Sequence, residues 1–499
     1  MEKLVHSQQR WIHKEISSVD KDKLFAFKKM KLITTDSKPL NMSTQYVFLL
    51  IICFVASLGG VLFGFDTAVI SGTFGMVESQ FGLSKIEVGW FGSAALVGAI
   101  AGAFSSGVLS DRFGRKPVLI LAAFLFLISA FFSAIPPGFK LLILARLVGG
   151  IGVGIASVLS PMYISEFAPA KIRGRLVALY QLSIVVGILL AYYSNWQLLQ
   201  YSTSSGNLFQ EGILKKIFIT EVWRGMFAAE MLPSGLFLIL LFFVPESPRW
   251  LIDKGYSEKG MRLLHRVYGD FFEDEVSELK EKKKKFRISE LVKPGLRKAL
   301  AIGIGLSVFG QFTGVNIVIY YGPTILEGAG FALNSAVQFQ VLIGIINLLF
   351  TIIALFKIDS WGRRPLLIGG MTSVFFSLCG IGLLFTTNVL SGIWIVVLFC
   401  IYIGSLALSI NAVIWVIIGE IYPTHIRGRA MSVATFANWA TNFTAAFLFP
   451  WYVTIVGMGA GFFTFAAFCL VGTVFFYMYI PETKGKSLEE IEKYWENYK

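Results

Sequence analysis

Twelve apolar runs succeed one another along this chain, near residues 45–72, 88–109, 117–135, 141–160, 177–193, 226–244, 299–325, 336–356, 366–386, 394–418, 432–453 and 457–480. Each is long enough to cross roughly 30 Å of hydrocarbon. With 55% of its 499 residues hydrophobic and 15% charged, the chain is too apolar for a soluble fold of this length. The bilayer is its solvent, and the expected fold class is an all-α membrane protein with twelve transmembrane helices. An even count puts both termini on one side.

The runs fall into two sets of six that echo each other. Gly107-Val-Leu-Ser-Asp-Arg-Phe-Gly-Arg-Lys116 returns, shortened, as Asp359-Ser-Trp-Gly-Arg-Arg364 about half a chain later. Glu166 with Arg173-Gly-Arg175 returns as Glu420 with Arg427-Gly-Arg429, and Pro245-Glu246 returns as Pro481-Glu482. Three echoes in register mark a duplicated membrane protein, and repeated halves with sites at their interface are how many secondary transporters are built. The expected organisation is a flexible cytosolic tail over 1–43, a six-helix bundle over 44–244, a cytosolic helical linker over 245–298, a second bundle over 299–480 and a cytosolic tail over 481–499.

A net charge of +13 raises the question of nucleic acid. The Lys and Arg residues, however, concentrate in alternate loops, at 112–116, 171–175, 249–298, 363–364 and 427–429, which is the positive-inside pattern. The basic loops and both termini are therefore expected in the cytosol, and no nucleic-acid role follows. Cys53, Cys379, Cys400 and Cys469 lie inside runs without paired spacing or companion histidines, so no metal is expected. His6, His13, His265 and His425 lie outside the runs as ordinary surface histidines. The first 43 residues lack the apolar core of a secretory signal, and Met30 and Met42 offer later starts. In the linker, Ser257 is a candidate cap, with Met261, Leu264, Val267 and Tyr268 at helical spacing. The Lys282–Lys285 run reads as a solvated helix face near a membrane, with anionic-lipid binding as the alternative. Residues 200–221, rich in Ser, Gly and Asn, read as an external loop.

A charge within a span costs several kcal/mol unless it is paired, protonated or wetted. Asp66 lies in the first run and Arg146 opens the fourth. If the two meet, protonating Asp66 breaks the pair and frees Arg146 to repack, which is a proton switch. The alternative is a structural ion pair that never titrates, and intramembrane ionisable residues default to function. Glu230 near the start of the sixth run is a third such group, assigned to the same polar network. Glycines at 59, 60, 64, 149, 150, 152 and 154 permit close helix approach.

The ordered set Gly107-x-Leu-x-Asp111-Arg-x-Gly-Arg-Lys116, Arg146-x-x-Gly-Gly-x-Gly, Glu166 with Arg173-Gly-Arg175, Pro245-Glu-Ser-Pro-Arg-Trp250, Asp359-x-x-Gly-Arg-Arg364, Glu420 with Arg427-Gly-Arg429, and Pro481-Glu-Thr-Lys-Gly485 resembles the sugar porter family of the major facilitator superfamily from about residue 45 to the end. The resemblance implies two six-helix bundles around a central sugar site that opens alternately to either side. Its proton-coupled bacterial members carry aspartate at the position of Asp66, where the mammalian facilitators do not, which favours symport. It further implies that the sugar is gripped by Gln181, Gln311, Asn316, Tyr320, Asn347, Asn438 and Asn442, walled by Phe63, Trp415 and Trp439. Amides matched to vicinal hydroxyls and an aromatic face for the ring's C–H surface suit such a ligand. For each residue alone, interhelical bonding is the plainer alternative, and for Trp439 an interfacial belt. The resemblance also implies a cytosolic gate of charge pairs that break as the halves separate: Asp111, Arg112, Arg115, Glu166, Arg173, Asp359, Arg363, Glu420 and Arg427. Anchoring and capping would explain the basic residues there, but not the repeated glutamates.

Two departures stand out. Relatives carry Gln-Gln where this chain has Gly310-Gln311, and Gly-Pro where it has Asn411-Ala412 ahead of Trp415. Without the proline the tenth helix is expected to run straighter, and Asn411, one turn before Trp415, is expected to replace part of the missing amide. Taken together, the chain is expected to be no enzyme but a proton-coupled monosaccharide symporter of the cytoplasmic membrane. No cofactor and no obligate protein partner are expected, only sugar, proton and membrane lipid. No Gly-x-x-x-x-Gly-Lys-Ser/Thr motif is present, so an ion gradient must drive any concentrative work. The rivals are a facilitator with a structural Asp66 and a non-transporting sugar sensor, which normally has a signalling extension where only a short tail follows Gly485 here.

Overall fold

Within hydrocarbon a chain must satisfy its own backbone, and the α-helix does so within one segment. In the computed structural model, which describes residues 42–169, 172–204, 209, 211–268, 294–387, 392–422 and 427–484, every regular element among the described residues is helical. The first half contains α1 (Met42–Val69), α2 (Phe74–Phe81), α3 (Lys85–Phe113), α4 (Arg115–Ala134), α5 (Phe139–Phe167), α6 (Arg173–Thr203), α7 (Val222–Ala229) and α8 (Met231–Phe243). Two short helices follow, α9 (Pro248–Asp253) and α10 (Ser257–Tyr268). The second half contains α11 (Pro294–Gln311), α12 (Val315–Gly328), α13 (Leu333–Trp361), α14 (Arg363–Thr387), α15 (Gly392–Leu408), α16 (Ile410–Glu420), α17 (Arg427–Val456) and α18 (Met458–Tyr479).

With α7–α8, α11–α12 and α15–α16 each forming one broken rod, these make twelve membrane-length rods. Eleven candidate spans are both long and apolar enough to cross, and the twelfth rod, α17, has 30 residues and carries Asn438, Thr441 and Asn442. The apolar runs thus locate the rods, although α6 runs on to Thr203 and residues 212–220 are helical, so the segment after residue 200 is less of a loop than its composition suggests. On α10, Met261, Leu264, Val267 and Tyr268 are buried together, as their spacing implies. Residues 1–41 and 485–499 of the expected tails, the Lys282–Lys285 run, His6, His13, His425 and the side chain of Arg427 lie outside the described residues.

Within the first half α5 is central, packing on α1, α3 and α4, while α1 also lies along α6. Glycine makes these approaches possible: a Cβ on Gly150 or Gly154 would run into the carbonyls of Ala95 and Ala99 on α3, and one on Gly64 into Ile184 of α6. The halves meet along two seams, α3 against α17 and α6 against α13.

Four rods break where function will matter. After Val69 the α-ladder tightens to a 3-10 turn, Ile70–Gly72, with Thr73 N bonded to Ile70 O at 3.0 Å. Between α11 and α12, Gly314 takes φ +82°, and the Thr313 carbonyl accepts from the Tyr402 hydroxyl at 2.9 Å. Between α7 and α8 the break at Glu230 follows from Pro233, whose missing N–H and bulky ring disturb the turn before it.

The fourth corrects an expectation. The rod α15–α16 is not straight but breaks at Ser409, which has φ −117° and ψ −88°. No proline is needed: Ser409 Oγ bonds back to the Ser405 carbonyl at 2.5 Å, and Ser373 and Ser405 share a hydroxyl contact of 2.7 Å. Gly370 on α14 leaves the room that Ser409 occupies. Serine back-bonding of this kind bends helices.

Candidate functional site

Asp66, near the end of α1, and Arg146, on α5, do meet. Arg146 Nη1 donates to Asp66 Oδ1 at 2.5 Å and Nη2 to the Asp66 carbonyl at 3.2 Å. Each residue is only 2% exposed, and the guanidinium also lies over the Phe227 ring, 5.5 Å from its centroid. Glu230, buried at the α7–α8 break, lies within electrostatic reach of both. Two groups in this cluster have no hydrogen-bond partner, Arg146 Nε and Glu230 Oε1.

The pair forms one wall of a narrow cleft between the halves. Thr67 and Ile70 flank it, α3 supplies a smooth wall through Gly92, Ala95 and Ala99, and Tyr320 and Trp439 close it from the second half. Trp439 packs on Phe63, ring centroids 5.7 Å apart. Asn442 Nδ2 donates to the Tyr320 hydroxyl at 3.4 Å. Alongside runs a chain of amides, Asn316 Nδ2 to Gln311 Oε1 at 2.7 Å and Gln311 Nε2 to Asn438 Oδ1 at 2.8 Å. These amides, of a kind that suits vicinal hydroxyls, bond to one another, as semi-buried polar groups must find partners.

Not every expected residue joins this cluster. Gln181 on α6, Asn347 on α13, and Asn411 and Trp415 on α16 have no hydrogen bond or ring contact to it among the described residues, and Trp415 is 38% exposed. The space beside Gly310 is filled by the Ile414 side chain, which a Cβ at 310 would strike. Residues the sequence reading passed over include Tyr321, whose ring lies 4.4 Å from Phe74 across the seam, and Asn195, which donates to the Val69 carbonyl at 2.9 Å.

At the basic end each half carries the same device. Arg115 binds Glu166 through Nε and Nη2 at 3.1–3.2 Å and Asp111 at 3.1 Å. Arg363 binds Asp359 at 2.9 Å and Glu420 at 3.2 Å. A glutamate caps the helix that follows: Glu246 accepts from Arg115 N and Lys116 N at 3.0–3.2 Å, and Glu482 from Arg363 N and Arg364 N at 3.1 Å. Burial raises the Glu246 carboxyl above its ordinary range, against the pull of the N–H groups of Ser247, Lys116 and Arg115. In Glu482 burial is outweighed by N–H groups from Lys484, Arg363, Arg364 and Thr483, and the carboxyl titrates lower than usual. The repeated Pro-Glu pairs were the sequence signal for these two residues.

Among the described residues these ion pairs close within one half, and none crosses to the other. Arg112 stacks on Phe113 at 5.1 Å instead of pairing with a carboxylate, and Arg173 Nε donates to the Ala168 carbonyl at 3.2 Å. Among the described residues, the polar contacts between halves include Gln200 Nε2 to Asn334 Oδ1 at 2.9 Å and the Tyr192 hydroxyl to the Ile319 carbonyl at 3.2 Å, both toward the opposite end.

Comparison with known proteins agrees with this architecture. The family model for sugar (and other) transporters matches residues 52–495. The arabinose-proton symporter of Bacillus subtilis (strain 168) is 38% identical over 463 residues, spanning 92% of this chain and 97% of that one. The D-xylose-proton symporter of Escherichia coli (strain K12) is 37% identical over 492 residues, spanning 91% and 98%. Among solved structures, the inward open conformation of the xylose transporter XylE from E. coli superposes with a TM-score of 0.77 at 35% identity, covering 90% of this chain and 100% of that one. The major facilitator superfamily proton:xylose symporter XylE bound to 6-bromo-6-deoxy-D-glucose superposes with a TM-score of 0.73 at 36% identity, covering 90% and 100%.

Proposed function

The chain belongs to the sugar transporter family, and on that premise we propose that it imports a monosaccharide together with a proton by alternating access. It is an integral multi-pass membrane protein, and its ion-paired basic end is assigned to the cytosol with both termini, in a cytoplasmic membrane. One observation carries the reading: the buried Asp66–Arg146 pair and the Tyr320–Trp439 face of the second half line the same cleft. A proton taken up by Asp66 removes the charge that holds Arg146, in sight of the place where sugar sits.

In this scheme Gln311, Asn316, Asn438 and Asn442 exchange their mutual hydrogen bonds for sugar hydroxyls, with Tyr320, Phe63 and Trp439 as the contact faces. Gln181, Asn347, Asn411 and Trp415 join only as the halves close on the ligand. Glu230 sets the field around Arg146. The basic-end networks, Asp111, Arg115 and Glu166 in one half and Asp359, Arg363 and Glu420 in the other, stiffen each half so that it moves as a block. Proton entry down a membrane potential supplies about 2.3 kcal/mol per 100 mV, and no bond is made or broken in the sugar.

The test is uphill uptake into proteoliposomes of radiolabelled D-xylose, arabinose and D-glucose under an imposed inward proton gradient. Accumulation that a protonophore abolishes is expected for at least one sugar. Asp66→Asn is expected to exchange labelled for unlabelled sugar yet fail to concentrate it. Accumulation by Asp66→Asn equal to that of the unaltered protein would make Asp66 structural and the protein no proton symporter through this site.

A further inference from the structure

The end of α1 is held by two neighbouring helices at successive turns. Arg146 grips the Asp66 carboxylate and carbonyl from α5. One turn on, where the α-ladder gives way to the 3-10 turn, Asn195 Nδ2 reaches in from α6 to the Val69 carbonyl at 2.9 Å. Carbonyls at such a helix end lose their regular partners and are satisfied from outside. Asn195 is 1% exposed, its Oδ1 has no hydrogen-bond partner, and its amide lies so near Gly72 that an added Cβ there would sit 2.8 Å from Nδ2. It has no hydrogen bond to Asp66 or to the amide chain.

Past the turn, Phe74 begins α2 and meets the Tyr321 ring of the second half at 4.4 Å. Tyr321 adjoins Tyr320, whose hydroxyl accepts from Asn442. One continuous strut therefore runs from Asp66 through the Asn195-capped break to Phe74 and on to the cleft wall of the other half.

We propose that Asn195 is a positioning residue for proton coupling: by capping Val69 it fixes where α1 breaks, so that loss of charge at Asp66 moves Phe74 against Tyr321 instead of fraying the helix end. The inference rests on the symport reading above. The ionisable groups facing Asp66 are Arg146 from α5, Glu230 from the α7–α8 break and the Tyr320 hydroxyl from α12, while the α3 wall of the cleft contributes none. Asn195 adds no titrating group, so its removal alters how protonation is transmitted.

The experiment compares Asn195→Leu, which keeps bulk and loses the donor, with Gly72→Ala, which crowds the amide off Val69 while leaving it in the chain. Both are reconstituted, and the sugar that the unaltered protein accumulates best is followed in exchange and in proton-driven uptake across external pH. Exchange near the unaltered rate is expected, with accumulation reduced about tenfold, within the usual range of coupling between linked sites, and a flattened pH profile. Accumulation with an unchanged pH profile in both variants overturns the proposal, as does an equal loss of exchange and accumulation, which would mark Asn195 as structural only. If Asn195→Leu does not fold, Gly72→Ala decides by the same criteria. Failure of the unaltered protein to accumulate any sugar overturns the symport reading itself, and this inference with it.

Discussion

A carboxylate and a guanidinium 2.5 Å apart, each only 2% exposed inside an apolar bundle, are more costly apart than together. Removing one partner from such a pair leaves an uncompensated buried charge, at a typical cost of about 3–5 kcal/mol. Arg146→Leu is therefore expected to lower unfolding stability in detergent by about that amount, whereas Asp66→Asn with Arg146→Leu, which removes both members of the pair and leaves only Glu230, should recover much of it. A single variant as stable as the unaltered protein would show that the pair is not the buried contact described here. This pair was legible in the sequence because each residue interrupts an apolar run and demands a partner. Asn195 was not, since an asparagine near the end of a span looks the same whether it faces headgroups or another helix's carbonyl.

The breaks in the rods separate what composition can reveal from what it cannot. The break at Glu230 has a written cause in Pro233, and the one at Gly314 in a glycine at positive φ. The break at Ser409 has neither, and the absence of proline pointed to a straight helix. Its cause lies between helices: Ser409 leans on Ser405 within its own rod and fills the space over Gly370 on another. Gly370→Ala should therefore crowd Ser409 directly, costing about 1–3 kcal/mol as overpacking does. It should also slow transport more than it weakens sugar binding, because Asn411 and Trp415 ride on the segment beyond the break. Turnover in proteoliposomes against binding by tryptophan fluorescence separates the two effects, and equal losses in both would remove Ser409 as a pivot. Likewise, a gap beside Gly310 looked like a missing amide, but only the packing shows that Ile414 occupies it.

For the molecule as a whole, twelve runs and three repeated motifs were enough to imply two similar halves, because lipid leaves a spanning chain few alternatives to helices. Where the halves touch was not legible, since seams depend on one packing among several that the same helices permit. Here the described polar contacts across the seam gather toward the end away from the ion-paired glutamates. Introducing Gln200→Cys with Asn334→Cys, at a side-chain contact of 2.9 Å, and cross-linking them should hold that end shut and stop transport, with recovery on reduction. Full activity of the cross-linked protein would mean that this contact need not open during the cycle.

Among the described residues, the Arg115–Glu166 and Arg363–Glu420 networks at the basic end each stay within their own bundle. Tilting one bundle against the other therefore strips neither Arg115 nor Arg363 from its glutamate, and for these networks the barrier to each swing is chiefly that of re-wetting an oily joint. A turnover limited in this way answers to temperature and to the fluidity of the surrounding lipid far more than to the salt in the buffer.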